Sequence, residues 1–179
     1  MARLKALSDA VYVAENKIVG FTNQDIAFLK DRLIHTGLKR IRICAHKNTD
    51  DTLQEMIIAF AKGSYIRPSK HLGKEESIHV LEGTADFVFF DLSGKIIQVV
   101  PVGAPSSGLQ EYVRTPVEVF HTVLITSDYF VVQETTQGPF KRSDTIFADW
   151  GPEDQHIEAV EKYMYELSQR VEAFKKSQS

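Results

Sequence analysis

The feature that most constrains this chain is a run of short apolar segments between residues 40 and 137. "LQEMIIAF", "ESIHVLEG", "TADFVFFD", "KIIQVVPV", "EYVRTPV", "FHTVLITSD" and "YFVVQETT" are rich in Val, Ile, Phe and Tyr, and turn residues such as Gly83 and "DLSGK" part several of them. β-branched and aromatic side chains suit a pleated, half-buried surface, and each segment has the length of a strand. Many short strands with close turns bury their apolar faces as packed sheets or a barrel, so the expected fold is mainly β, of the jelly-roll kind. "GAPSSGLQ" is a polar connection inside this unit, not a linker between domains.

The flanks differ. "VYVAENKIVGF" reads as a strand or two. "TNQDIAFLKDRLIHTG" reads as a helix, with Thr22 as cap, Asp25 three residues on and Gly37 as stop, and with Ile26, Leu29, Leu33 and Ile34 at helical spacing. In the last segment, Ile157, Val160, Met164, Leu167, Val171 and Phe174 alternate spacings of three and four, a coiled-coil-like seam. That helix either packs on the β-domain or pairs with its mate in a homodimer. The expected organisation is 1–38 as a strand and helix packed on the barrel, 39–152 as the barrel, and 153–179 as an amphipathic helix.

Charge and composition narrow the function classes. A net charge of -3 makes no electrostatic case for nucleic acid or an anionic membrane. No apolar run has the length a bilayer needs, and "MARLKALSDA" lacks the apolar core of a signal peptide. The lone Cys44 excludes an internal disulfide and, in the alternation "IRICA", reads as a small buried hydrophobe. The expected location is cytoplasmic.

The chemistry concentrates in "GSYIRPSKHLGKEESIHVLEG". His71 and Glu76 flank "LGKE", whose Gly73 lets the chain turn so that both side chains converge. Glu76 then shares a strand face with Ile78 and Val80. A carboxylate on such a face is costly to bury unless it is paired or binds a cation. His121 likewise shares a face with Val123 and Ile125. Two inward histidines and one carboxylate make a set that binds a divalent metal with open positions; a satisfied core or surface histidine is the plainer reading of each alone.

The same stretch resembles the first cupin motif, G-x5-H-x-H-x(3,4)-E-x6-G, with Gly63, His71, Glu76 and Gly83 on its glycine, second histidine, glutamate and closing glycine. "PVEVFH" resembles the second, P-x-G-x-x-H, through Pro116 and His121. More narrowly, "GSYIRP", "ESIHVLEG", "FHTV" and "ETTQGPF...DTIFADWGP" are similar to the WbuC family of cupin-fold metalloproteins, from about Arg40 to Pro152. The resemblance implies a small cupin-type jelly-roll β-barrel with one divalent metal ion (Fe, Zn, Ni or Mn) on His71, Glu76 and His121, and an association with surface-polysaccharide genes. Three positions depart: Ser69 replaces the first motif histidine, Glu118 the glycine before His121, and Ile125 an asparagine.

Other candidates surround this set. Gln54 shares a face with Met56, Ile58 and Phe60 and can hold a ligand or its water. Tyr65 and Arg67 of "SYxRP", His46 after "RIRICA", and Arg114 with Tyr112 before the second motif are substrate-binding candidates, an arginine suiting phosphate or carboxylate. His79 falls on the opposite face from Glu76, and His35 and His156 read as surface residues. No nucleophile elbow, P-loop or dinucleotide fingerprint occurs. Two functions remain. One is a metal-dependent enzyme on a small polar substrate such as a sugar or sugar nucleotide, with Glu118 or Gln54 moving or steering a proton; with Fe(II) the same ligands permit O2 chemistry. The other is a non-catalytic sensor or binding module with a degenerate site.

Overall fold

The computed structural model describes residues 1–37 and 39–178. Leu38 and Ser179, at the edges of the expected first and last segments, lie outside the described residues. The elements run β1 (Leu4–Ser8), β2 (Val11–Ala14), α1 (Asn23–Thr36), β3 (Arg40–Cys44), β4 (Leu53–Ala61), β5 (Ser69–His71), β6 (Glu76–Glu82) and β7 (Thr84–Phe90). They continue with β8 (Ile96–Gly103), β9 (Tyr112–Thr115), β10 (Phe120–Ile125), β11 (Tyr129–Gln137), β12 (Thr145–Phe147) and α2 (Ile157–Gln178).

Two sheets form, in the orders β1-β2-β3-β4-β11-β6-β9 and β12-β5-β10-β7-β8. Strand alternation gives each sheet two faces, and the buried residues sort accordingly. Between the sheets lie Met56, Ile58, Phe60, Ile78, Val80, Phe87, Phe130 and Val132. On the outer face of the first sheet, Ile41, Ile43, Ile57, Ala59 and Val131 meet Ile26, Leu29 and Leu33 of α1. On the outer face of the second, Val88, Phe90, Ile96 and Phe120 meet Leu167 and Val171 of α2. The fold is thus a two-sheet sandwich with one helix on each side.

Local chemistry sets the helix positions. Thr22 and Asp25 form a capping box at the start of α1, and Gly37 ends it in the left-handed region at φ +67°. β2 and β3 run parallel, which requires a crossover, and α1 supplies it. α2 is tied down by Lys175, which pairs with the buried Asp86 of β7 at 2.6 Å. Arg170 also donates to the Gly94 carbonyl. Among the described residues, no helix is long and apolar enough to cross a membrane.

Some elements escape the sequence pattern. "VYVAENKIVGF" yields a strand only over Val11–Ala14, whose hairpin partner β1 lies in the unread "LKALS". β5 and β12 are three residues each, too short for an alternation to register, yet they pair with each other and carry the site.

Candidate metal centre

The register brings the three expected ligands together from both sheets. Glu76 opens β6, where it faces Thr136 of β11 and Thr115 of β9. His71 ends β5 opposite Thr145, and His121 on β10 lies between Ser69 of β5 and Phe89 of β7. The turn from β5 to β6 passes through Gly73 at φ +64°, which returns Glu76 toward His71. Gly83, at the motif's closing position, has φ +79°, and a Cβ there would overlap the Tyr129 carbonyl oxygen. Glycine is therefore required for β6 to run into β7.

His71 Nε2 lies 3.0 Å from Glu76 Oε1, and His121 Nε2 lies 3.4 Å from Glu76 Oε2. One ligand atom from each residue falls within 4.8 Å of the others. The opposite ring nitrogens are engaged: His121 Nδ1 lies 3.0 Å from the Val119 carbonyl and His71 Nδ1 lies 3.2 Å from Thr145 Oγ1. Such partners orient an imidazole and leave Nε2 for a metal. Metal–ligand bonds of about 2.1 Å at angles near 90–110° separate neighbouring donors by roughly 3.0–3.4 Å, a spacing that both histidine–carboxylate distances match. Burial alone would raise the Glu76 carboxyl, but hydrogen bonds to His121 and His71, and their charges, hold it well below the usual carboxylate range. Burial alone would lower His121; the Glu76 carboxylate and the Val119 carbonyl raise it.

These residues line a cavity of about 550 Å³ between the sheets. Ser69 is buried beside His121, on the face of β5 that also carries His71. Gln54 reaches the cavity wall, but its Nε2 donates to the Asp51 carbonyl at 2.9 Å and to that of Asn48 at 3.2 Å, pinning the β3–β4 loop. Tyr65 and Arg67 also line the cavity while holding the chain after β12: Tyr65 Oη donates to the Pro152 carbonyl, and Arg67 donates to those of Gly151 and Ala148. Burial, chiefly, pushes the Tyr65 phenol up.

Three expected residues are not brought to the cavity. His46 accepts the Glu55 N–H on the β3–β4 loop. Arg114 pairs with Glu75 on the exposed side of β9. Glu118 is exposed on the β9–β10 turn at φ +61°, where its N–H donates to the His71 carbonyl. It thus takes up the left-handed backbone for which the motif uses glycine, rather than offering its carboxylate to the site.

One cavity group went unread. Glu134 on β11 shares the inward face with Phe130, Val132 and Thr136, and lies diagonally across from Glu76. Burial and the Glu76 charge push its carboxyl up to about 7, with Arg42, His71 and Arg40 opposing. The signal was available: a Glu in "FVVQETT" on the face of two apolar residues is the pattern that singled out Glu76.

A family model described as a domain of unknown function, DUF6016, matches residues 22–102, which include His71 and Glu76 but not His121. No curated protein matches the chain. Among solved structures it is similar to protein SO0799 from Shewanella oneidensis, with a TM-score of 0.50 at 9% identity over 59% of this chain and 72% of that one. CapF, a capsular polysaccharide assembling protein from Staphylococcus aureus, aligns with a TM-score of 0.45 at 21% identity, over 55% of this chain and only 27% of that one. KdgF from Halomonas sp. aligns with a TM-score of 0.45 at 12% identity, over 59% and 84%. At these identities the likeness is one of fold: a mainly β, cupin-type jelly roll with helices at both ends of the chain.

Proposed function

We propose that the protein is a metal-dependent enzyme of the WbuC-like cupin kind, acting on a small polar molecule such as a sugar or sugar nucleotide bound between the sheets. The observation that carries this reading is the convergence of His71, Glu76 and His121 on one point of the cavity wall, with both Nε2 atoms directed at Glu76. A divalent ion held there supplies Lewis-acid polarisation of a substrate carbonyl or hydroxyl oxygen. The chain's own groups do the rest. Glu134 faces the same cavity, its carboxyl raised first by burial, where it can take up or give back a proton. Tyr65 and Arg67 shape the wall, and the apolar floor of Ile58, Phe87 and Val132 excludes water from one side of the ligand.

Ser69 favours a second reading, a non-catalytic binding module. Its hydroxyl stands beside His121 where the motif places an imidazole, which leaves a weaker ligand set. Elemental analysis of protein purified without added metal decides between them. The enzyme reading expects bound metal in the wild type and background levels in His71→Ala/His121→Ala. Background metal in both would remove it. Poor occupancy that Ser69→His restores would favour the binding module.

A further inference from the structure

Arg40 and Arg42 alternate with Ile41 and Ile43 along β3. The two isoleucines pack into the cluster under α1, so the arginines face the space between the sheets and line the cavity. Their cross-strand neighbours on β4 are apolar, Phe60 beside Arg40 and Ile58 beside Arg42, and Phe130 and Val132 of β11 follow in the same rows. Arg42 is half-buried and Arg40 stays exposed at the cavity rim; a guanidinium partly shielded by apolar neighbours gains more from an anion than one in open water. Among the described residues, neither arginine has a carboxylate within ion-pair distance. Of the other cations on the cavity wall, Arg67 is engaged on the carbonyls of Gly151 and Ala148 and Lys74 on Asp144 at 2.9 Å, whereas Lys141 and Arg142 sit on the loop before β12. Burial and the neighbouring Arg42 charge lower Arg40, with Glu134 and Asp154 offsetting this only in part.

We propose that Arg40 and Arg42 seat an oxyanion, a phosphate or carboxylate group, on the molecule whose other end reaches His71, Glu76 and His121. The inference rests on reading this cavity as the substrate site, and it narrows the substrate to an anionic one. The paired guanidinium forks match oxyanion geometry, which a single lysine does not. β3 and β6 stand three strand steps apart, roughly 14 Å at about 4.8 Å per step. The inward reach of the arginine side chains shortens that gap to the scale of a phosphorylated or acidic sugar. Glu134 on β11 lies between the two ends and feels the charges of both Arg42 and Glu76.

The test uses the full chain after chelation, so that it does not depend on a metal. Inorganic phosphate and, in a separate arm, malonate are titrated by calorimetry and by thermal shift. At least one of them is expected to bind and raise the melting temperature. Arg42→Gln should weaken that binding about tenfold or more, as loss of a charge-assisted contact does, with Arg42→Lys falling between. A response to phosphate alone assigns a phosphoryl group, and a response to malonate alone a carboxylate. Circular dichroism checks the fold, and the more exposed Arg40→Gln carries the comparison if Arg42→Gln unfolds. Neither anion binding the wild type, or both variants binding as tightly as the wild type, would overturn the proposal. Metal missing from the wild type with anion binding intact would sink the metal reading and leave the oxyanion seat standing.

Discussion

Glu76 and Glu134 are both carboxylates on an otherwise apolar strand face, and their surroundings drive them in opposite directions. Two histidines hold Glu76 ionised, whereas burial beside the Glu76 charge keeps Glu134 protonated up to about 7. The unfolded chain releases the Glu134 proton near the ordinary 4.5. Between those values the folded metal-free protein binds more protons than the unfolded one, so this group's contribution to stability falls as pH rises. Well above 7 the loss is complete and constant, on the order of 3 kcal/mol. Glu134→Gln, which cannot ionise, should therefore melt above the chelated wild type at pH 8, and the difference should shrink toward pH 4.5. A difference independent of pH would show that the carboxyl is not raised. Glu76 was legible because a glycine turn and a histidine stood next to it. Glu134 shows the same face pattern but has no histidine or glycine within three residues in the sequence. Its neighbours in the cavity arrive from β3, β5 and β6, and no single stretch displays them.

The elements most legible from sequence are those whose signals are local. α1 carries its cap, its periodicity and its stop within sixteen residues, 22–37, and forms between them. β5 and β12 are fixed instead by pairing across the second sheet, Ser69 with both His121 and Phe147, so their own three residues reveal little. The β9–β10 turn lies between these cases. The motif asks for glycine at position 118, and the chain supplies glutamate in the same left-handed conformation. A non-glycine residue there is strained by about 1 kcal/mol, and glycine gives part of that back through its greater freedom when unfolded. Glu118→Gly should stabilise the protein by about 0.5 kcal/mol, read as a rise of roughly 1–2 °C in melting temperature. Its metal content should not change, because the Glu118 side chain is exposed on the turn and away from the cavity. A fall in metal binding would instead return Glu118 to the site.

At the scale of the whole molecule, three apolar layers are stacked: one under α1, one between the sheets, and one under α2. The spacing of Ile157, Val160, Met164, Leu167, Val171 and Phe174 in α2 does not say which surface covers them. In the fold Leu167 and Val171 are fully buried against Val88, Phe90 and Phe120 of the same chain, while Ile157 and Tyr165 stay exposed. Each fully buried aliphatic side chain is worth about 1.5–3 kcal/mol, against a total stability of about 5–15 kcal/mol for a domain. Removing residues 157–178 also strips Lys175 from Asp86 and exposes Val88, Phe90 and Phe120 of the second sheet to water. The truncated chain should therefore lose ten degrees or more of melting temperature, bind a hydrophobic dye and scatter light as aggregate. A helix that instead works between two copies predicts another outcome: a melting temperature close to that of the full chain and a solution mass that falls to half. Static light scattering and a thermal melt on one preparation separate the two, since only the covering role ties the loss of the helix to exposure of the second sheet.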